Sequence, residues 1–527
     1  MKVAIVGAGV SGLTALKQCL DEGIQATVFE KEEQIGGIWT FSETPGKGGL
    51  VYRSVITNTS KDMTGFSDYP MPDDYPPYIH NSQVVQYLQM YCDHFKLNEH
   101  IQFNTSVRKI EKAANYQQSG RWDITLSRND TNETTTETFD AVMVANGLYS
   151  KISLPHFQGV ENFRGKVLHS RDYKDWKGYE NKRVLVVGSG SSAVDIAVEL
   201  SYHCSQVYMS TRSGAWVFGR VSSGGLPADS LLSRFTMMVP RKIVKYVLRS
   251  ELNQKFDHAK YGLGANYDIL TKSIVVNDDI AARIICGAVK VKDNLSCIKE
   301  HDVEFCDGTI EKDIQAIVFA TGFATAITCL DSSIITQDQY ECLNLFRNIF
   351  PPGLDHPTLA MIGYVQVGGA VFPVSEMQSR YVVRVFKKCL SLPSQEEMIR
   401  DIEDRHKANQ KAVVRTEWSI IRVDYIKYMD ELASLIGCKC NLLLLFFRDP
   451  KLALRCFFGP CTPTQFRLVG PHRWNNAKKT IENNEKRFVG SIQTRRYMPQ
   501  MKSRSWFWSG FAITTAVVIA YYITSYY

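Results

Sequence analysis

Three glycines in the order Gly7-Ala8-Gly9-Val10-Ser11-Gly12 follow the apolar run Val3-Ala4-Ile5-Val6. The same grammar returns at Val184-Leu185-Val186-Val187-Gly188-Ser189-Gly190-Ser191-Ser192-Ala193. A glycine-rich turn between a strand and a helix lets the backbone approach a pyrophosphate, while the free N–H groups and positive dipole end of the helix face the anion. Two such turns predict two dinucleotides held at once. The residue ending the next strand distinguishes them. Glu30 ends Ala26–Phe29, where a carboxylate accepts a ribose hydroxyl. The matching strand Gln206–Ser210 ends in Thr211 and Arg212, and a guanidinium there suits a 2′-phosphate, so NADPH is favoured over NADH. Read without the motif, Glu30 and Arg212 are solvated charges at strand ends.

These residues need strand–turn–helix units beneath them. The spacing predicts a helix over 13–22 and a strand over 26–29 in the first unit. In the second, Ser191, Ser192, Ala193, Val194 and Asp195 open the helix under the pyrophosphate. A chain with one dinucleotide fold at its extreme N-terminus and a second inserted later resembles the flavin-dependent disulfide-reductase-like class. That resemblance implies FAD in the first turn and hydride passing to it from NADPH. Gly36-Gly37-Ile38-Trp39 follows Glu30 at a spacing similar to those flavoproteins, which places Gly37, Ile38 and Trp39 beside the cofactor; alone it is an ordinary turn.

Buried strands are expected in Asp140–Gly147 and Ala316–Gly322, the second returning the chain to the flavin domain. The expected fold class is α/β: two Rossmann-like dinucleotide-binding domains, the NADPH domain inserted in the FAD domain, and a C-terminal membrane helix. The expected boundaries are 1–153 for the first part of the FAD domain and 154–319 for the NADPH domain, with a helical subdomain at about 220–275. The second part of the FAD domain follows at 320–440, a C-terminal extension at 441–500 and an anchor at 506–527. Leu231–Leu248 carries helical patches, and the polar stretch Thr131–Thr138 reads as a hairpin loop.

The 527 residues leave room for two or three domains, and 44% apolar with 22% charged residues marks a globular protein. A net charge of +7 without a long basic run argues against nucleic acid as a partner. Thirteen cysteines with no CxxC spacing signal neither that redox dithiol nor a zinc site, so no metal is expected; Cys438, Cys440, Cys456 and Cys461 read as reduced structural thiols. The Asn-x-Ser/Thr triplets at Asn58, Asn104, Asn129 and Asn132 read as incidental, because the N-terminal apolar run is already the first strand and no signal peptide precedes it. From Trp506 to Tyr527 no residue is charged, aromatics stand at both ends, and Arg495, Arg496, Lys502 and Arg504 precede the run. At ~1.5 Å per residue this length spans a bilayer, and the basic flank predicts a cytosolic body. A buried helix or one lying in the membrane plane remains the alternative. A homo-oligomer is compatible with the chain.

The segment Phe163-Arg164-Gly165-Lys166-Val167-Leu168-His169-Ser170-Arg171-Asp172-Tyr173 resembles the FxGxxxHxxx(Y/F) fingerprint of the flavin-containing monooxygenases. Further similarity lies in Asn58–Met63, Ala320–Phe323, Glu376–Arg380, Tyr428–Ala433 and Phe458–Pro463, and the apolar C-terminus is similar to that of microsomal animal members. Ile56–Ser60 and Leu226–Asp229 look nearest to the type 5 branch. The resemblance implies a cycle in which NADPH reduces FAD, NADP⁺ stays bound, and O₂ adds at flavin C4a to give a hydroperoxide. Small lipophilic amines and thioethers would attack its distal oxygen, on the cytosolic face of the endoplasmic reticulum membrane. It also implies that Asn58 lies beside flavin and nicotinamide as the catalytic polar group, with Thr59 next to the cofactor; otherwise Asn58 is a turn asparagine. His169, despite its neighbours Arg171 and Asp172, reads as structural.

Two departures stand out: Ser191 where the family usually has asparagine, and Asn146 where it has threonine. Either could loosen coupling, so peroxide-producing NADPH oxidase activity is one rival reading. Baeyer–Villiger oxygenation of ketones is another, favoured by the type 5 likeness and disfavoured by Tyr173, which stands where many dedicated Baeyer–Villiger enzymes have tryptophan. A membrane-anchored nucleotide-binding scaffold without activity is the non-enzymatic alternative.

Overall fold

The computed structural model describes residues 1–131, 133–222, 224–331, 333–336, 342–412 and 420–495. The expected anchor 506–527 and Asn132 lie outside the described residues. No helix of the described residues is long and apolar enough to cross a membrane. Contacts divide the chain into two units, one of residues 1–58, 80–220 and 241–424, the other of 59–79, 221–240 and 425 to the C-terminus.

The first unit holds two five-stranded parallel sheets built on one plan. In the first sheet β1 (Lys2–Val6) leads through α1 (Val10–Asp21) to β2 (Gln25–Phe29), which pairs with β1 in parallel from Lys2↔Gln25 to Val6↔Phe29. Ala141–Val144 lies on the other side of β1, Leu359–Met361 outside it, and Ile101–Gln102 at the far edge beside β2. In the second sheet β3 (Arg183–Val187), α2 (Ser191–Leu200) and β4 (Gln206–Ser210) repeat the unit. Ala316–Phe319 closes on β3, Lys166–His169 lies outside that, and Val289–Lys292 borders β4. Val3, Ala4, Ile5, Val184, Leu185 and Val186 are fully buried, as strands covered on both faces require. The fingerprint segment supplies the strand Lys166–His169: Phe163 packs on the core, the His169 ring stands edge-on to Phe323 at 5.1 Å, and buried Tyr173 donates to Glu199.

Three details differ from the sequence reading. The first helix starts at Val10, directly on Gly9, rather than at Leu13. The threonine-rich stretch is a strand, Thr134–Phe139, paired antiparallel with Trp122–Arg128; its β-branched residues favour extended backbone. The region near 220–275 is shared between the units, 221–240 in one and 241 onward in the other, and Pro240 separates helix Arg234–Met238 from helix Arg241–Lys255.

The second unit gathers short helices around Leu452, Cys456 and Ile481. Its polar interior is tied by cations: Lys61 Nζ donates to the carbonyls of Pro72, Asp73 and Tyr75, and Arg487 Nε lies 2.7 Å from Asp62 Oδ1. Cys438, Cys440, Cys456 and Cys461 are free thiols.

Candidate functional site

The first turn is shaped by contacts that exclude side chains. Gly7 has φ +97°, and a Cβ on Gly12 would lie 1.8 Å from the Gly7 carbonyl oxygen. The Ala8 N–H donates to Glu30 Oε2 at 2.6 Å and the Glu32 N–H to Glu30 Oε1 at 2.9 Å. Burial raises the Glu30 pKa above the usual carboxylate value, and those two N–H groups oppose the shift. The acid at the strand end therefore fixes the turn. The Gly36 N–H donates to the Ala8 carbonyl, and a Cβ on Gly9 would lie 3.6 Å from Gly37 Cα. Gly7 to Gly12, Glu30 and Gly37 thus form one cluster, with Ser11 turned toward Ser375 at 3.1 Å, while the Trp39 ring lies edge-on to Phe372 at 6.2 Å.

The second turn carries Ala193 where the first has Gly12. A Cβ on Gly190 would touch nothing within 4 Å, so that ledge is free for a diphosphate. Ser189 Oγ donates to the Gly214 carbonyl at 3.1 Å, and the Gly214 N–H donates to Thr211 Oγ1 at 3.0 Å, tying the turn to the loop that carries Arg212. Lys272, a residue without a sequence signal, reaches the same loop: its Nζ donates to Ser213 Oγ at 3.1 Å and lies 4.3 Å from the Tyr267 ring centre. Burial and the nearby Arg212 guanidinium lower the Lys272 pKa, as expected where two cations share a place an anion would occupy.

Asn58 has a partner the sequence did not disclose. Buried Arg220 donates from Nη2 to Asn58 Oδ1 at 3.0 Å, from Nε to the Thr57 carbonyl at 3.1 Å and from Nη1 to Asp278 Oδ2 at 3.2 Å. A guanidinium only donates, so the amide oxygen of Asn58 must face it and the NH₂ turns outward. The chain continues from Asp278 to Asn277, whose Nδ2 donates to Asp195 Oδ1 at 2.7 Å, while Tyr52 OH donates to Asp195 Oδ2 at 2.9 Å. Burial raises the Asp195 pKa and the two donors oppose it. Helix α2 is thereby joined to Asn58 through Asp195, Asn277, Asp278 and Arg220. Thr59 belongs to the second unit and pairs with Thr64, Oγ1 to Oγ1 at 2.8 Å. Among the described residues no group of three or more His, Cys, Asp or Glu is placed to hold a metal.

The residues present fit two dinucleotides: two glycine turns, the second with open space over Gly190, an acid at one strand end and paired cations at the other. Dimethylaniline monooxygenase [N-oxide-forming] 2 of Mus musculus is 43% identical over 502 residues, covering 94% of this chain and 93% of the relative. Flavin-containing monooxygenase 5 of Cavia porcellus is 42% identical over 503 residues with the same coverage, so identity alone does not set the chain nearer to type 5. The solved S-allyl-L-cysteine S-oxygenase of Allium sativum shares the fold, with TM-score 0.64 at 22% identity over 92% of this chain and 98% of that one. The family described as flavin-binding monooxygenase-like matches residues 1–526, and this chain belongs to it, as a monooxygenase dependent on FAD and NADPH.

Proposed function

We propose that the enzyme oxygenates nucleophilic nitrogen and sulfur in small lipophilic molecules. The observation that carries this is the Arg220–Asn58 contact, which fixes an amide donor and links it, through Asp278, Asn277 and Asp195, to the helix of the second turn. Gly7–Gly12, Glu30 and Gly37–Trp39 hold FAD. Gly188, Gly190–Asp195, Thr211 and Arg212 hold NADPH, with Lys272 as a second cation. Bound together, the cofactors supply hydride and activate dioxygen. The Asn58 NH₂ donates a hydrogen bond to the oxygen being transferred, and Arg220 keeps that amide from flipping. Asp278 and the Asp195–Asn277 bond hold Arg220 in register with the helix under the second pyrophosphate. No side chain need act as nucleophile or metal ligand, because the oxidising equivalent comes from the cofactor.

The FAD domain is proposed as 1–153 with 320–440, the NADPH domain as 154–319, and the C-terminal extension as 441–500. Strands of the first sheet lying before 145 and after 358 support this division, as do those of the second sheet, which all fall within 166–319. The charge-free run 506–527 is proposed as the anchor that holds the body on the cytosolic face of the endoplasmic reticulum membrane. Resistance of the full chain to alkaline extraction from microsomes tests it, and release into the supernatant refutes it.

The deciding experiment for the chemistry supplies NADPH, O₂ and a probe carrying both a thioether and a ketone, followed by mass spectrometry. Sulfoxide as the main product supports the proposal. Ester as the main product shows Baeyer–Villiger chemistry, and peroxide equal to NADPH consumed shows an oxidase.

A further inference from the structure

Helix α2 carries two carboxylates, Asp195 and Glu199, four residues apart and so on one face, a turn from each other. Both reach toward the segment that leads to Asn58. Asp195 Oδ2 accepts from the Tyr52 hydroxyl at 2.9 Å. Glu199 Oε2 accepts from the hydroxyl of Tyr173, the last residue of the fingerprint, and the Ser54 hydroxyl hydrogen-bonds the same carboxylate. The two tyrosine rings are buried and meet edge-on, with 5.8 Å between their centres. Burial and the Glu199 carboxylate push the Tyr173 pKa far above its usual value, so this hydroxyl stays the donor. Past Tyr173 the backbone joins the same segment, the Lys174 carbonyl accepting from the Arg53 N–H at 2.8 Å. Asn81 Nδ2 lies 3.1–3.3 Å from the carbonyl oxygens of Tyr52, Arg53 and Val55, and Arg220 holds Thr57 and Asn58. At its far end α2 is pinned by Arg283, whose Nη2 donates to the Ser201 carbonyl at 2.8 Å.

We propose that Glu199 is a positioning residue that passes occupancy of the second glycine turn to the segment carrying Asn58. A single contact at Asp195 would leave the helix free to pivot about it. Two contacts a turn apart fix its rotation against Tyr52 and Tyr173, so a phosphate that orders the first turn of α2 also orders residues 52–58. The fingerprint tyrosine thereby has a task of its own: its hydroxyl is the point at which the helix under the second pyrophosphate grips the chain on its way to Asn58. The inference rests on the second turn holding NADPH.

The test follows amide hydrogen exchange in the FAD-loaded full chain on adding 2′,5′-ADP, which brings the phosphates of the adenosine half and no nicotinamide to meet Asn58 directly. Binding is measured in parallel by calorimetry. In the native protein the nucleotide is expected to slow exchange over residues 54–58 about threefold. Glu199→Leu and Tyr173→Phe should bind the nucleotide without that slowing, and Glu199→Gln, whose amide oxygen still accepts from Tyr173, should restore it. Tyr173→Phe removes one oxygen only and decides the matter if leucine at 199 costs the fold. Slowing that persists in Tyr173→Phe, or that is absent from Glu199→Gln, overturns the inference. Binding without slowing in the native protein overturns it and leaves the nucleotide assignment standing, whereas no binding at all overturns both.

Discussion

Replacing Arg220 by methionine removes the group that turns the Asn58 amide. Its NH₂ is then presented only part of the time, and product formed per NADPH consumed is expected to fall about tenfold, the loss appearing as hydrogen peroxide; parallel assays of product and peroxide check it. Lys272→Met is expected to weaken binding of 2′,5′-ADP about tenfold, ~1.4 kcal/mol, while leaving 5′-AMP unchanged, as read by calorimetry. Equal loss for both nucleotides would make Lys272 merely a loop support. Glu30 was readable in the sequence because a strand-end acid has a fixed place relative to the turn before it, and the structure puts its carboxylate on the Ala8 N–H. Arg220, Asp278 and Lys272 were not readable. They come from stretches without a motif, and only packing brings positions 58, 220 and 278 together.

Among the elements, the two strand–turn–helix units invite a contrast. Gly12→Ala forces a methyl into the Gly7 carbonyl, so the purified variant should lack the visible absorbance of flavin. Ala193→Gly in the second turn should keep NADP⁺ affinity within about threefold. The parallel strands were visible as unbroken apolar runs, whereas the threonine-rich stretch was misread because polarity was weighed above β-branching. The turn Ala228–Leu231 carries a pH signature. Asp229 Oδ2 accepts from both the N–H and Oγ of Ser60, yet burial pushes its pKa up to about 6, since Oδ1 is buried without a partner. The folded state holds this proton more tightly than the unfolded state, whose value is near 3.8. Its stability contribution is therefore complete below about pH 4 and is lost as pH rises through about 6. Asp229→Asn should raise stability at pH 7 by about 2 kcal/mol and flatten that slope, as measured by denaturant unfolding at several pH values.

Across the whole molecule, the second unit is assembled from three distant pieces of chain, 59–79, 221–240 and the residues from 425 on. Three of its ion pairs join such pieces: Arg234 with Asp430, Arg467 with Asp68, and Arg487 with Asp62. No local pattern announces an association of that kind, which is why the sequence suggested one subdomain at 220–275 where 221–240 and 241 onward fall in different units. The arrangement also has a temporal side. At ~5–20 residues per second a ribosome takes tens of seconds to travel from the first piece to the last. Throughout that interval Asp62 and Asp68 emerge without the arginines that will answer them. A nascent chain stalled at 424 should therefore keep 59–79 open to protease, and cleavage there should cease only when the final hundred residues have left the tunnel.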